Sequence, residues 1–245
     1  MIVKFVNYDY MNINIYKTKE ELSDKLSNYI IENHLESSIA LSGGSTPILL
    51  FKSIKDKLSE FHNLKTKFYW VDERCVSPDS QESNYKMTKE NLFGGNIFNP
   101  ENIYRIKGEN DPANEVISYN NQLKESLPLD GSIPILDLVI LGLGDDGHTA
   151  SLFPHEFLNF RNINECLVAT HPTSGQKRIS LSEKIINNAK EVIFHVTGSG
   201  KKHVVDKIIN KRDNYKSFPG SYIKPKSSNL SWYLDFDASE MLTKE

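Results

Sequence analysis

His148 stands in a loop, Gly142–Ser151, that directly follows the apolar run Leu138–Leu141. An imidazole with an ordinary pKa of ~6.5 takes up and gives back protons near neutral pH, so His148 is a candidate acid or base. Asp145 and Asp146 put two carboxylates beside it. Gly142, Gly144 and Gly147 let the chain turn tightly and approach a ligand closely. The apolar run reads as a buried strand of a parallel sheet. A loop just past the carboxyl end of such a strand is where open α/β sheets hold their ligands. Taken alone, the stretch leaves equally open a glycine-rich turn that happens to carry a surface histidine.

Three further clusters have the same setting. Ser38–Leu41 reads as a short apolar strand and runs into Ser42, Gly43, Gly44, Ser45, Thr46 and Pro47, with a helix following to about Ser59. Pro47 suits the first helical turn, where its missing N–H costs nothing. Ser45 or Thr46 suits the N-cap. Free N–H groups and the positive end of the helix dipole make such a junction an anion site. It lacks the Gly-Lys-Ser/Thr ending of a Walker loop and the Gly-x-Gly-x-x-Gly spacing of a dinucleotide loop. An ordinary βα turn is the alternative. Thr66–Val71 reads as a strand ending in Asp72, Glu73 and Arg74, three charges that packing alone explains poorly. Arg74 offers a planar fork for phosphate or carboxylate, against an ion pair among neighbours. Glu191–Thr197 is a strand followed by Gly198, Ser199, Gly200, Lys201 and Lys202 and then a helix, a second anion-type junction with a lysine in it.

The elements that must position these groups alternate along the chain. Asn12–Tyr16 alternates Ile13 and Ile15 with polar residues and reads as a half-buried strand at an edge. A helix over Lys17–Asn33 carries Leu22, Leu26, Tyr29 and Ile30 at helical spacing. Ser83 caps a helix to about Phe93, Ile103–Ile106 reads as a short strand, and Pro112–Ser126 as a helix. Leu167–Thr170 and Arg178–Leu181 are strands, a helix covers about Ser182–Ala189, Trp232–Leu234 is a last strand, and Asp235–Met241 a terminal helix. Four loops, Ser42–Pro47, Asp72–Arg74, Gly142–Ser151 and Gly198–Lys201, each follow a strand. In a parallel sheet they share one rim and one crevice. Two anion-binding helix starts, Arg74, Lys201 and a histidine among carboxylates imply a phosphate-bearing small molecule handled by acid/base chemistry. Metal ligation is not expected, since His148 lacks a second histidine or cysteine at ligand spacing, although Asp145 and Asp146 leave a carboxylate option. No Gly-x-Ser-x-Gly elbow offers a serine nucleophile.

Composition narrows the classes. The 245 residues carry a net charge of -3, so no global basic field recruits nucleic acid. Two distant cysteines, Cys75 and Cys166, form no disulfide framework and suit a reducing cytoplasm. Neither a signal peptide nor an apolar run of membrane-spanning length is present in the sequence, so a cytoplasmic chain without membrane or nucleic-acid partners is expected.

Four blocks together resemble the 6-phosphogluconolactonase family: Leu41–Pro47; Val71–Arg74 with Ser83 and Asn84; Gly144–Pro154; and Arg178–Ser180 with Gly198–Lys201. The resemblance spans roughly Ser38 to Asp235, and its most specific part is Gly147–Pro154. Family members more often carry threonine where this chain has Ser180, a change that keeps the hydroxyl. The resemblance implies a Rossmann-like α/β fold, a mostly parallel sheet with helices on both faces, as a single domain over residues 1–245. It implies hydrolysis of 6-phospho-D-glucono-1,5-lactone to 6-phosphogluconate in the pentose phosphate pathway, without a cofactor; a monomer is expected. Matched residue by residue, His148 is the general base, Arg74 the active-site arginine, and Gly43, Gly44, Arg178 and Lys201 surround the phosphate. Ser45 and Thr46 join that loop, and Asp146 orients His148. A related family, the amino-sugar-phosphate deaminases, shares the fold and a similar Asp-Gly-His loop but continues it to a functional glutamate, where this chain has Phe153. A non-catalytic sugar-phosphate sensor is the remaining alternative, and such domains usually accompany a DNA-binding module that is not seen here.

Overall fold

The computed structural model describes residues 4–8 and 11–242. In chain order the elements are β1 (Lys4–Tyr8), β2 (Met11–Tyr16), α1 (Lys19–His34), β3 (Ser38–Leu41), α2 (Pro47–Lys57), β4 (Lys67–Trp70), β5 (Asp72–Arg74), α3 (Asn84–Asn91) and α4 (Pro112–Ser126). A two-strand hairpin, β6 (Leu129–Asp130) and β7 (Ile133–Pro134), precedes β8 (Leu138–Leu141). Then come α5 (Phe157–Phe160), β9 (Leu167–Thr170), β10 (Lys177–Ser180), α6 (Glu183–Asn187), β11 (Glu191–Val196), α7 (Lys202–Ile209), β12 (Leu230–Asp235) and α8 (Phe236–Ser239).

Seven strands form the main sheet in the order β1-β2-β12-β11-β8-β3-β4. Only the β1–β2 pair is antiparallel; the other neighbours run parallel. Strands β3, β8, β11 and β12 are buried at every position, as strands covered on both faces must be. The chain steps from β2 to β3 to β4 toward one edge, then returns through β8 and β11 to β12. Right-handed crossovers therefore place α1 and α2 on one face and α4, α6 and α7 on the other. The α/β class with a mostly parallel sheet is thus as expected. β3 and β8 are neighbours whose following connections leave in opposite directions, which makes the gap between their carboxyl ends the switch point where open sheets bind ligands. Tyr119 on α4 pins the outer strand β4: its hydroxyl accepts from the Trp70 N–H at 2.9 Å and donates to the Trp70 carbonyl at 3.1 Å.

Four expectations are corrected. Asn12–Tyr16 lies inside the sheet, between β1 and β12, rather than at its edge, and it is buried at nearly every position. Asn14, which alternation puts on a wet face, instead donates to the Trp232 carbonyl. Asp72–Arg74 is not a loop but β5, paired antiparallel with β10, which pairs in turn with β9 in a separate three-stranded sheet. Ile103–Ile106 forms no strand; only Ile103 bridges to Phe68. The terminal helix covers only Phe236–Ser239, with Asp235 capping it by accepting from the Ala238 N–H.

Candidate active site

The loop after β8 holds His148 in one orientation. Its Nδ1 lies 2.5 Å from Asp146 Oδ1, and the same oxygen accepts the His148 backbone N–H at 3.1 Å. Burial opposes ionisation of Asp146, but its hydrogen bond and charge contact with His148 outweigh that and hold its pKa below the usual carboxylate value. An ionised Asp146 must accept, so in the neutral ring Nδ1 carries the proton and the lone pair lies on Nε2. Gly144 is required beneath the ring: a Cβ there would stand 2.2 Å from His148 Nδ1 and 2.6 Å from Asp146 Oδ1. The Gly144 N–H also donates to the His148 carbonyl, and Thr149 Oγ1 donates to the Gly142 carbonyl, closing the loop on itself. Two residues beyond His148, Ala150 has φ +50°, a left-handed conformation that a non-glycine residue adopts only where its surroundings enforce it. Phe153, fully buried, packs against the His148 ring at 4.9 Å between centroids and meets the His171 ring edge-on at 5.3 Å.

The loop after β3 is tied to the loop after β8 by one hydroxyl. Ser42 Oγ donates to the Ile140 carbonyl and accepts the Gly142 N–H. Gly43 admits the carboxamide of Asn84, since a Cβ at 43 would fall 1.8 Å from Asn84 Oδ1. Pro47 opens α2 as expected, but neither Ser45 nor Thr46 closes a side-chain cap; Thr46 holds the N-cap position with helical backbone angles and no capping bond. In the first turn of α2 Pro47 brings no N–H and the Ile48 N–H donates to the Ser45 carbonyl, which leaves the Leu49 N–H for a ligand.

The small sheet delivers two arginines. In the β5–β10 register Arg74 lies directly opposite Arg178. Like charges directly opposite across two strands repel, and the Nε of each guanidinium is buried without a hydrogen-bond partner among the described residues. Burial lowers the Arg178 pKa; Asp72 opposes this and Arg74 adds to it. An anion between or beside the two guanidiniums would relieve both the repulsion and the unmet N–H groups. At His171, burial and then the charges of Arg178, His148 and Arg74 lower the pKa, a sign of positive potential at this rim. The neighbouring carboxylates have structural work. Glu73 accepts from the backbone N–H groups of Arg74, Asn84 and Tyr85 and from Ser83 Oγ, while Ser83 caps α3 by accepting the Lys86 N–H. Asp72 accepts from Ser151 Oγ at 2.5 Å and from Asn84 Nδ2, and lies 4.0 Å from Arg178 Nη1.

These groups converge on a cavity of about 280 Å³. Gly43, Gly44, Ser45, Thr46, Arg74, His148, Arg178 and Lys201 all line it. Asp146 does not; it stands behind His148. Lys201 follows β11 in a single 3₁₀ turn and approaches Asp145 only to 4.0 Å, so its ammonium is loosely held. Asp72, Asn84 and His195 also belong to the lining; Asp72 was expected at the crevice without a role, Asn84 belongs to a block of the resemblance, and His195 was not singled out. Asp72 carries a visible signal, a carboxylate at a strand end, whereas Asn84 and His195 reach the cavity through long-range packing. Among the described residues no cluster of three or more His, Cys, Asp or Glu side chains is arranged to hold a metal ion. No helix among them is long and apolar enough to cross a membrane.

Comparisons with known proteins identify the family. The family model described as glucosamine-6-phosphate isomerases/6-phosphogluconolactonase matches residues 15–232. The 6-phosphogluconolactonase of Haemophilus influenzae is 40% identical over 237 residues, covering 95% of this chain and all of that one. That of Aggregatibacter actinomycetemcomitans is 39% identical with the same coverage. The solved structure of 6-phosphogluconolactonase from Trypanosoma brucei superposes with a TM-score of 0.84 at 29% identity, over 98% of this chain and all of that one. The chain belongs to the glucosamine-6-phosphate isomerase/6-phosphogluconolactonase family.

Proposed function

We propose that the protein hydrolyses 6-phospho-D-glucono-1,5-lactone to 6-phosphogluconate, with His148 as general base. The observation that carries the mechanism is the 2.5 Å contact between His148 Nδ1 and Asp146, which leaves Nε2 as the basic atom of a cation-lined cavity. The relatives with matching coverage are lactonases by name, which supports the choice of substrate. Nε2 takes a proton from water as the water oxygen attacks the lactone carbonyl carbon. The developing oxyanion is met by cationic side chains and loop N–H groups. The tetrahedral intermediate collapses, the bond to the ring oxygen breaks, and the proton on Nε2 passes to that oxygen. Arg178, Lys201 and the N–H groups of Gly43–Thr46 hold the phosphate, and Arg74 extends the positive rim.

An amino-sugar-phosphate deaminase would need an acid where this chain has Phe153, which is wholly buried against His148. The lactonase reading has the chain act as a monomer. The free thiols of Cys75 and Cys166 suit a reducing cytoplasm. The test is to generate the lactone in situ and follow its loss against the spontaneous rate. Wild-type protein is expected to accelerate it strongly, and His148→Ala to lower kcat by ~10²–10⁴-fold. Wild-type loss at the spontaneous rate would remove the lactonase reading and bring a sugar-phosphate sensor forward.

A further inference from the structure

β11 is an apolar strand, with Val192, Ile193, Phe194 and Val196 buried, yet it contains His195. His195 is 2% exposed, and both of its ring nitrogens lack a hydrogen-bond partner among the described residues. Burying polar nitrogens unpaired is costly. The chain shows how a structural histidine is treated elsewhere: buried His34 meets Ser37 Oγ with Nδ1 and Glu191 with Nε2. His195 differs by its position. The β11–β8 register ends at Phe194 opposite Leu141, so His195 sits one step on, beside the start of the Gly142 loop, and it lines the cavity. Two hydroxyls that line the same cavity are already committed, Ser42 Oγ to Ile140 and Gly142, and Thr149 Oγ1 to Gly142.

Building on the lactonase reading, we infer that His195 is a substrate-recognition residue that hydrogen-bonds a ring hydroxyl of the sugar lactone from the floor of the cavity. Burial lowers its pKa to about 4, so the ring is neutral at working pH, with one N–H donor and one acceptor nitrogen. A hydroxyl both donates and accepts and so matches that ring. Phosphate and carboxylate groups only accept, and they belong with Arg74, Arg178 and Lys201.

The experiment compares wild type, His195→Leu and His195→Gln on the full 6-phospholactone and on its 2-, 3- and 4-deoxy analogues, with kcat, KM and Tm measured for each protein. Wild type is expected to prefer the full lactone over one deoxy analogue by about tenfold, the worth of one hydrogen bond to a buried partner. His195→Leu is expected to raise KM for the full lactone by about the same factor, leave that deoxy analogue unchanged, and keep or raise Tm. His195→Gln, which retains a donor and an acceptor, is expected to keep part of the preference, and it carries the comparison if the leucine variant fails to fold. Wild-type kinetics on every lactone for both variants would make His195 a core residue and overturn the inference. An equal loss on all lactones would overturn it as well. Wild-type protein that does not exceed spontaneous hydrolysis would overturn the lactonase reading and this inference with it, whereas the first two failures leave that reading standing.

Discussion

At His148 the orientation of a single proton decides whether the ring is a base. Asp146 accepts at Nδ1, so the lone pair is on Nε2. Asp146→Asn offers the ring an amide that can donate to Nδ1, which moves the imidazole proton to Nε2 and spoils the base. We expect kcat to fall by on the order of 10²-fold or more with little change in KM, read from steady-state lactone hydrolysis. An unchanged kcat would show that Nε2 is not the proton acceptor. His195 makes a different residue-scale prediction, on stability. Its folded pKa of about 4 lies below the ordinary histidine value of ~6.5, so the unfolded chain binds a proton that the folded chain does not. Its contribution is present above pH ~6.5 and is lost as the pH falls toward 4. Tm should therefore drop more steeply over that window in wild type than in His195→Leu, and identical slopes would place His195 in a site where it protonates freely. The two histidines also mark the limit of sequence reading. His148 was legible because glycines and carboxylates surround it in one continuous stretch. His195 was not, because a histidine inside Val192–Val196 reads as an ordinary strand position until the strand's register is known.

Among the elements, β5 and α3 show how charges at a strand end become structure. Their residues were visible in sequence as a cluster, but not as a strand, because β5 exists only through pairing with β10, more than 100 positions later. Glu73 joins the two elements. Its Oε1 accepts from the Arg74 and Asn84 N–H groups, and its Oε2 from Tyr85 N–H and Ser83 Oγ. Burial pushes its pKa up against these four bonds. Either orientation of a glutamine amide would turn an NH₂ group toward two donors. Glu73→Gln is therefore expected to destabilise the fold by about 1–3 kcal/mol, the cost of leaving buried donors unmet, and to do so by loosening the start of α3 and the Arg74 backbone. Denaturant unfolding measures it. A loss below about 0.5 kcal/mol would mean that Ser83 alone secures the helix start. The same locality explains what was legible among the helices. Ser83 and Pro47 fell where local capping rules put them, whereas the absence of a side-chain cap at Thr46 depends on a loop shaped by contacts beyond its own neighbours.

Across the whole molecule, alternation of strand, loop and helix was enough to place three loops on one rim, because parallel strands share a carboxyl edge, while the fourth segment, Asp72–Arg74, reaches the same cavity as strand β5 of the small sheet. The strand order and the small antiparallel sheet were not legible, since neither leaves a periodic trace in the chain. That small sheet matters for charge. The protein carries -3 overall, yet Arg74 and Arg178 stand opposite each other, with Lys201 on the same cavity. A folded state that holds like charges together is stabilised by any anion that binds there and not to the unfolded chain. Inorganic phosphate is therefore expected to raise Tm and to inhibit lactone hydrolysis competitively, both effects weakening as ionic strength rises. At 100 times its Kd the ligand adds about 2.7 kcal/mol of stability. Arg178→Ala removes one of the two opposed guanidiniums, so it should lower the phosphate-induced rise in Tm and raise KM for the lactone by about 10–100-fold while kcat changes little. Its Tm without phosphate should fall less than that of a typical buried-residue truncation, because a repulsion leaves together with the side chain. A variant that keeps the full phosphate response would move the anion site away from the arginine pair, to Lys201 and the start of α2.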